Sequence, residues 1–450
     1  MTTGSMRVLA VDLGATSVRV AAVDLEARDP EVDVIHRFHH GPVADPSGNL
    51  RWDWARIAEE VERGLAVGIE AGSVASIGVD GWAIDYGLLG ADGTLLSPPY
   101  SYRDARTNGW RATLERIGAD RLYGVTGVQL MQINTIFQVA VHDRQELVTA
   151  TRLLLLPDLL VRTLAGFEGA ERSNASTTGL VEARSGRWSA ELMEAVGLDP
   201  AIVPSIVDAP RAAGSWRGIP VHVVGSHDTA SAFAAVPGVP GPHTAIVSSG
   251  TWVIVGAERA EPDTSSMARD ANFSNEAGAL GGFRFLKNVM GFWMLEQCRT
   301  VWGDPPLDQL VNAAAVVEQD VPIVDATDAR FLAPGDMEAE IRSAAGLPSD
   351  APRSLVVRCI LESIAAAASS VFDELGAVMR TDITEVLVVG GAARLRFMNE
   401  LYARHSGRDV TVGSPEATAL GNALVQGIAL GRFEDLNAAR RWLAAGAERL

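Results

Sequence analysis

Val11-Asp12-Leu13-Gly14-Ala15-Thr16-Ser17-Val18-Arg19-Val20 and Ile246-Val247-Ser248-Ser249-Gly250-Thr251-Trp252-Val253-Ile254-Val255 are two copies of one short pattern. Each reads as strand, tight turn, strand: the apolar, β-branched flanks suit buried strands, and the Gly plus Ser/Thr centre suits a turn with outward-facing N–H groups and hydroxyls. That chemistry fits phosphate, because glycine lets the backbone approach an anion and hydroxyls donate hydrogen bonds. One such turn is more often purely structural. Two copies in two halves of a chain point to a duplicated, two-lobed nucleotide-binding protein.

Length agrees with two lobes: 450 residues, 47% hydrophobic and 21% charged, exceed what one core holds, so two domains of about 200 residues are expected. The densest turn signal is Pro237-Gly238-Val239-Pro240-Gly241-Pro242, which sets domains of residues 1–238 and 239–450. A net charge of -18 argues against a nucleic-acid surface, since phosphate backbones need clustered Lys and Arg. Only Cys298 and Cys359 are present, so stability does not come from a disulfide framework and a reducing compartment is the easier reading. Residues 1–6 lack the pattern of a signal peptide. The apolar run 153–156 stops at Pro157, well short of the ~20 residues of a bilayer span. A soluble, cytoplasmic monomer or homodimer is expected, with no membrane and no nucleic-acid partner.

Strands alternate with helices, as in α/β proteins. Strand-like runs occur at 8–11, 18–23 and 77–79, and Ile57, Val61, Leu65 and Ile69 recur every four residues behind Asp53, predicting a capped helix over 54–71. Residues 121–166 read as mainly helical, punctuated by Pro157, and 221–224 as a strand ending at Gly225. In the second half a helix is predicted over 353–379, followed by a strand at 385–389 that runs into Gly390 and Gly391. Ligands sit at the carboxyl ends of strands in such proteins, so these glycines are either nucleotide contacts or a plain strand-to-helix turn.

The residues best placed for chemistry are Gly225-Ser226-His227-Asp228-Thr229-Ala230-Ser231, which follow a strand directly. Asp228 either accepts a proton from a substrate hydroxyl or caps the helix that starts at Thr229. His227 is a substrate contact or a packed histidine. Asp12 holds a water-coordinated Mg²⁺ or accepts N–H groups of its turn. In 80–86, Trp82 stacks on a sugar or fills the core, while Asp80 and Asp85 offer carboxylates to sugar hydroxyls. The polar run 102–108 is a substrate loop or a solvated, salt-bridged one.

In order along the chain, Val11-Asp12-Leu13-Gly14-Ala15, Tyr102-Arg103-Asp104-Ala105-Arg106-Thr107-Asn108-Gly109, Ser226-His227-Asp228-Thr229-Ala230-Ser231, Ser248-Ser249-Gly250-Thr251-Trp252, Leu286-Lys287-Asn288-Val289-Met290-Gly291 and Pro415-Glu416-Ala417-Thr418-Ala419-Leu420-Gly421-Asn422 resemble the FGGY carbohydrate kinases. His36-Arg37-Phe38-His39-His40-Gly41-Pro42 and Asn272-Phe273-Ser274-Asn275-Glu276 resemble the branch of that family acting on L-rhamnulose. The colinear matches run from residue 8 to about 430.

The resemblance implies a duplicated actin-like fold of two ribonuclease-H-like α/β lobes, with an interdomain cleft that holds the sugar and ATP toward the C-terminal lobe. It implies Asp228 as catalytic base. Ala83, His227, Thr229 and Asn288 match sugar contacts, and Ala15, Thr16, Ser17, Val18, Arg19, Thr251, Glu296 and Gly391 match nucleotide contacts. The implied reaction passes the ATP γ-phosphoryl group to the C1 hydroxyl of a ketose, expected to be L-rhamnulose, with Mg²⁺ near Asp12. L-fuculose and xylulose are the alternative sugars. Four positions depart from the family pattern: Gly81 stands where threonine is usual, Ala83 where glycine is usual, Glu296 where Gln is more common, and Ala392 closes what is typically a triple glycine. A reading of another class is a non-catalytic actin-like sensor or chaperone. The carboxylate at 228 and the Arg103-Asp104-Arg106 loop argue against it, and no basic helix-turn-helix is visible.

Overall fold

Strands Arg7–Leu13 (β1), Ser17–Asp24 (β2) and Val32–His39 (β3) form an antiparallel meander. Six of the seven β1 residues are buried, which is why that stretch reads as continuously apolar rather than alternating. β1 also pairs in parallel with Ser76–Gly81, and that strand pairs in parallel with Ile219–His227, which turns back antiparallel onto Arg211–Trp216. A six-stranded mixed sheet results. The computed structural model describes residues 6–27, 31–332 and 334–446.

Helix Trp54–Glu70 (α1) begins where predicted: Asp53 accepts the Arg56 N–H at 3.3 Å, and Ile57, Val61 and Leu65 are buried. Helix Ala417–Ala429 belongs to this unit too. Its Ala419 packs on Ala10 and Ala21, and Gly421 lies so near the helix Asp228–Ala234 that a Cβ there would stand 1.7 Å from the Ser231 carbonyl oxygen. The first compact unit therefore comprises Met1–Val239, Glu258–Phe285 and Ala417–Leu450, and the second Pro240–Ala257 and Leu286–Glu416.

The stretch expected to be mainly helical over 121–166 is more broken. Short helices Ala119–Thr126, Thr135–Ala140 and Arg144–Thr149 precede a buried strand, Arg152–Leu155, paired with Tyr86–Leu89. Pro157 does not interrupt a helix but sits in the first turn of Leu156–Ala165, where its missing N–H leaves no bond unmade.

In the second unit, Thr244–Ser249 pairs antiparallel with Trp252–Arg259 and in parallel with Glu385–Val389, which pairs in parallel with Asp409–Val412. This hairpin-then-parallel-strands order repeats that of β2, β1, Ser76–Gly81 and Ile219–His227. The duplication seen in the two hairpins extends to the strands beside them. Helix Arg353–Met379 has the predicted bounds. It is long and apolar enough for a membrane span, yet 72% of its most apolar window is buried, the property of a core helix.

Glu362 on that helix is buried and takes hydrogen bonds from Arg358, Arg404 and His405. Burial opposes its charge, but these donors outweigh burial and hold the carboxyl below its usual range. A depressed carboxyl stabilises the fold above its unfolded pKa, and that stability is lost as pH falls through the folded value. Glu362→Gln is expected to lower stability near neutral pH by about 1–3 kcal/mol. It should also flatten the fall in Tm on acidification; thermal melts from neutral pH down to pH ~3 measure both.

Candidate active site

Strand register brings three polar groups to one end of the first sheet. Asp12 lies opposite Asp80 on the neighbouring parallel strand, and Gly81 lies opposite both Leu13 and His227, one residue before Asp228. Asp12 pairs with Arg19 across the hairpin, where the two are register partners. Asp80 is fully buried and accepts from Asn422 Nδ2 at 2.7 Å, while its Oδ1 has no hydrogen-bond partner. Burial first, then repulsion from Asp12 and Asp228, pushes the Asp80 carboxyl well above its usual range.

The helix after this strand starts at Asp228 rather than Thr229. His227 occupies the cap position and makes no side-chain cap, so Asp228 does not serve the capping role weighed from the sequence. Its Oδ1 instead accepts from Thr229 Oγ1 at 3.1 Å and lies 3.3 Å from His227 Nε2. The Asp228 side chain keeps 28% exposure, whereas His227 and Thr229 are buried. A carboxylate that is held on one oxygen and still reachable suits proton acceptance.

Three buried residues to which the sequence assigned no role fix this strand end. Glu171 accepts from the Ser226 backbone N–H at 2.9 Å and from Ser173 and Asn174. On the other side, Arg284 Nη2 lies 3.1 Å from His227 Nδ1, and Glu276 Oε2 lies 3.4 Å from the same nitrogen. Both come from segments remote in sequence, and no local spacing marks them.

Beside the first hairpin, His40 Nε2 donates to the Gly14 carbonyl at 2.8 Å, and its ring stands 5.4 Å from Trp52 and 5.6 Å from Trp82. Burial pushes the His40 pKa down. Asp85, weighed from the sequence as a sugar ligand, is turned inward. It accepts from Trp52 Nε1 at 2.6 Å, Trp82 Nε1 at 3.1 Å, the Tyr102 N–H at 3.2 Å and Gln138 Nε2 at 3.0 Å. Burial raises its pKa to about 6, against the pull of those donors. Asp85 therefore holds an aromatic wall together. The run 102–108 is only partly solvated: Ala105 and Asn108 are exposed, but Arg103 and Asp104 are buried, Asp104 accepts the Leu50 N–H at 2.5 Å, and Arg106 binds Gln138 Oε1 at 2.9 Å.

In the first unit, Ala15, Thr16 and Ser17 are half-buried in and beside the hairpin turn, Val18 points into the core, and Ala83 is half-buried after Trp82. The second unit carries Asn288, Thr251, Glu296 and Gly391. The Thr251 carbonyl accepts the Trp293 N–H at 3.1 Å, which ties the second turn to the start of helix Trp293–Val301. Glu296 on that helix is gripped by Arg299 Nη1 at 2.7 and 2.5 Å. Gly391 is exposed with open space where a Cβ would stand, whereas a Cβ at Gly390, whose φ is +90°, would stand 3.0 Å from the Ser249 carbonyl oxygen.

The N-terminal domain of the FGGY family of carbohydrate kinases is matched over residues 7–232 and its C-terminal domain over residues 245–430. A rhamnulokinase from Bacteroides thetaiotaomicron is 36% identical, covering 97% of this chain and 93% of that one. A rhamnulokinase from Enterococcus faecalis is 34% identical over 96% and 91%. Among solved structures, a gluconate kinase from Lactobacillus acidophilus superposes with a TM-score of 0.77 at 15% identity, covering 98% of this chain and 92% of its own. Glycerol kinase from Plasmodium falciparum gives 0.74 at 15%, with the same coverage. These likenesses show the duplicated actin-like α/β fold, and the family matches span both halves. The chain belongs to the FGGY family of carbohydrate kinases.

Proposed function

We propose that the protein transfers the γ-phosphoryl group of ATP to the C1 hydroxyl of L-rhamnulose, giving L-rhamnulose 1-phosphate. The observation that carries this reading is Asp228: a reachable carboxylate at the ends of parallel strands, in a chain whose compared relatives are named rhamnulokinases. A sugar hydroxyl is a weak nucleophile, so Asp228 takes its proton as the bond to phosphorus forms; such assistance is typically worth ~10²- to 10⁴-fold. Ala83, His227, Thr229 and Asn288 position the sugar. Ala15 to Arg19, Thr251, Glu296 and Gly391 bind the nucleotide, and most of the remaining acceleration comes from holding the two reactants in line.

Asp12 would hold Mg²⁺. Its buried carboxylate is the hard oxygen donor this ion takes, and the Asp80 Oδ1 without a hydrogen-bond partner belongs to its register partner. Among the described residues no group of three or more His, Cys, Asp or Glu is placed to hold a metal. Mg²⁺ of this kind is bound through one or two carboxylates together with the substrate phosphates. When bound, the ion neutralises charge developing on the phosphates. Cys298 and Cys359 are free and buried, which supports a reducing, cytoplasmic setting, and we expect a monomer or homodimer.

Ala83 adds a methyl where the family more often has none, so it bears on which ketose fits. Ala83→Gly is expected to raise kcat/KM for bulkier ketohexoses relative to L-rhamnulose by roughly tenfold, as competition assays would show. The site of phosphorylation is tested by NMR of the product: phosphorus coupled to the C1 protons supports the reading, and coupling elsewhere on the sugar refutes it.

A further inference from the structure

We infer that Arg284 is a positioning residue that fixes His227 as the neutral Nε2–H tautomer, and so leaves Asp228 Oδ2 as the oxygen that takes the substrate proton. The inference rests on the reading of Asp228 as the base. Arg284 lies at the start of strand Phe283–Met290 and is 1% exposed. Its Nε donates to the Ala277 carbonyl at 3.1 Å, which aims the guanidinium, and its Nη2 lies 3.1 Å from His227 Nδ1 and 3.2 Å from Glu276 Oε2.

Guanidinium nitrogens only donate and stay protonated in proteins. Two N–H groups cannot share a 3.1 Å contact, so Nδ1 must present its lone pair to Arg284. The competing partner, Glu276 Oε2, lies farther from Nδ1, at 3.4 Å against 3.1 Å for Arg284 Nη2. An imidazolium would carry protons on both nitrogens and is excluded by the same contact. The single ring proton is therefore on Nε2, the nitrogen that faces Asp228 Oδ1 at 3.3 Å.

The consequence falls on Asp228. Oδ1 accepts from Thr229 Oγ1 at 3.1 Å and has His227 Nε2 beside it at 3.3 Å, while no hydrogen bond from the described residues reaches Oδ2. With the other tautomer, the Nε2 lone pair would face Oδ1, and the repulsion would turn the carboxylate away. Arg284 touches neither Asp228 nor, on this account, the sugar. It acts through His227.

The test is ¹⁵N NMR of the full-length protein labelled at histidine, with the His227 signals identified by their loss in His227→Asn. Near neutral pH the wild type is expected to show an unprotonated Nδ1 and a protonated Nε2; a protonated Nδ1 would overturn the inference whether or not any variant folds. In Arg284→Met the Nδ1 proton should appear, donated to Glu276, and kcat should fall about 10- to 100-fold, the scale for losing the orienting partner of a functional histidine. KM for the sugar should change far less. A folded Arg284→Met that keeps the wild-type tautomer, or keeps wild-type kcat, contradicts the inference. The tautomer is read without substrate, so an error in the sugar assigned would leave that arm intact and surface only in turnover.

Discussion

Asp228→Asn is expected to bind L-rhamnulose nearly as tightly as the wild type while losing at least ~10²- to 10⁴-fold in kcat. The amide keeps the size of the carboxylate and an oxygen for the Thr229 hydroxyl, which reaches Oδ1 at 3.1 Å, so the pocket is preserved. What is lost is the basicity of the second oxygen. Calorimetric titration with the sugar, beside steady-state turnover with Mg-ATP, separates the two effects. A variant with near-wild-type kcat would remove Asp228 from the chemistry, and one that fails to bind sugar would make it a binding residue instead.

Gly421→Ala should be the most damaging single methyl in the first unit. The added Cβ would stand 1.7 Å from the Ser231 carbonyl oxygen and 2.6 Å from its carbon, both backbone atoms that no rotamer change can move. Overpacking of a core costs about 1–3 kcal/mol when side chains can yield. Here a whole helix must shift, and it is the helix that begins at Asp228. A loss of about 3 kcal/mol or more is expected, a fall in Tm of roughly 6–12 °C for a domain of this size, with activity lost alongside. Gly124→Ala is the control, because nothing lies within 4 Å of its Cβ position on the exposed side of Ala119–Thr126. It should leave Tm unchanged or slightly raised. Equal melting of both variants would show that the close helix approach at Gly421 contributes nothing special.

Features written in local patterns were legible in the sequence. The two hairpins, the Asp53-capped helix and the helix Arg353–Met379 follow from residue spacing alone. Residues 121–166 were less so, because short apolar runs suit a buried strand and a buried helix equally; Arg152–Leu155 became a strand by pairing with Tyr86–Leu89. Polar content left 102–108 open, and the structure divides it: Asp104 and Arg106 bond Leu50 and Gln138, while Ala105 and Asn108 face solvent.

At the site, the sequence located Asp228 but left its role open between base and cap. The cap was excluded by backbone geometry, since the helix starts one residue earlier than expected. Glu171, Glu276 and Arg284 were invisible as a set because strand pairing and chain folding bring them to His227 and Ser226 from about 50 residues away or more. The close packing at Gly421 likewise depends on a helix nearly 200 residues distant in the chain.

The central claim is that this chain phosphorylates L-rhamnulose, and ADP release measured with purified protein and Mg-ATP against a panel of ketoses and polyols tests it most directly. The account predicts the highest kcat/KM for L-rhamnulose, with L-fuculose and xylulose well below it. Turnover of xylulose or glycerol with none of L-rhamnulose would contradict it.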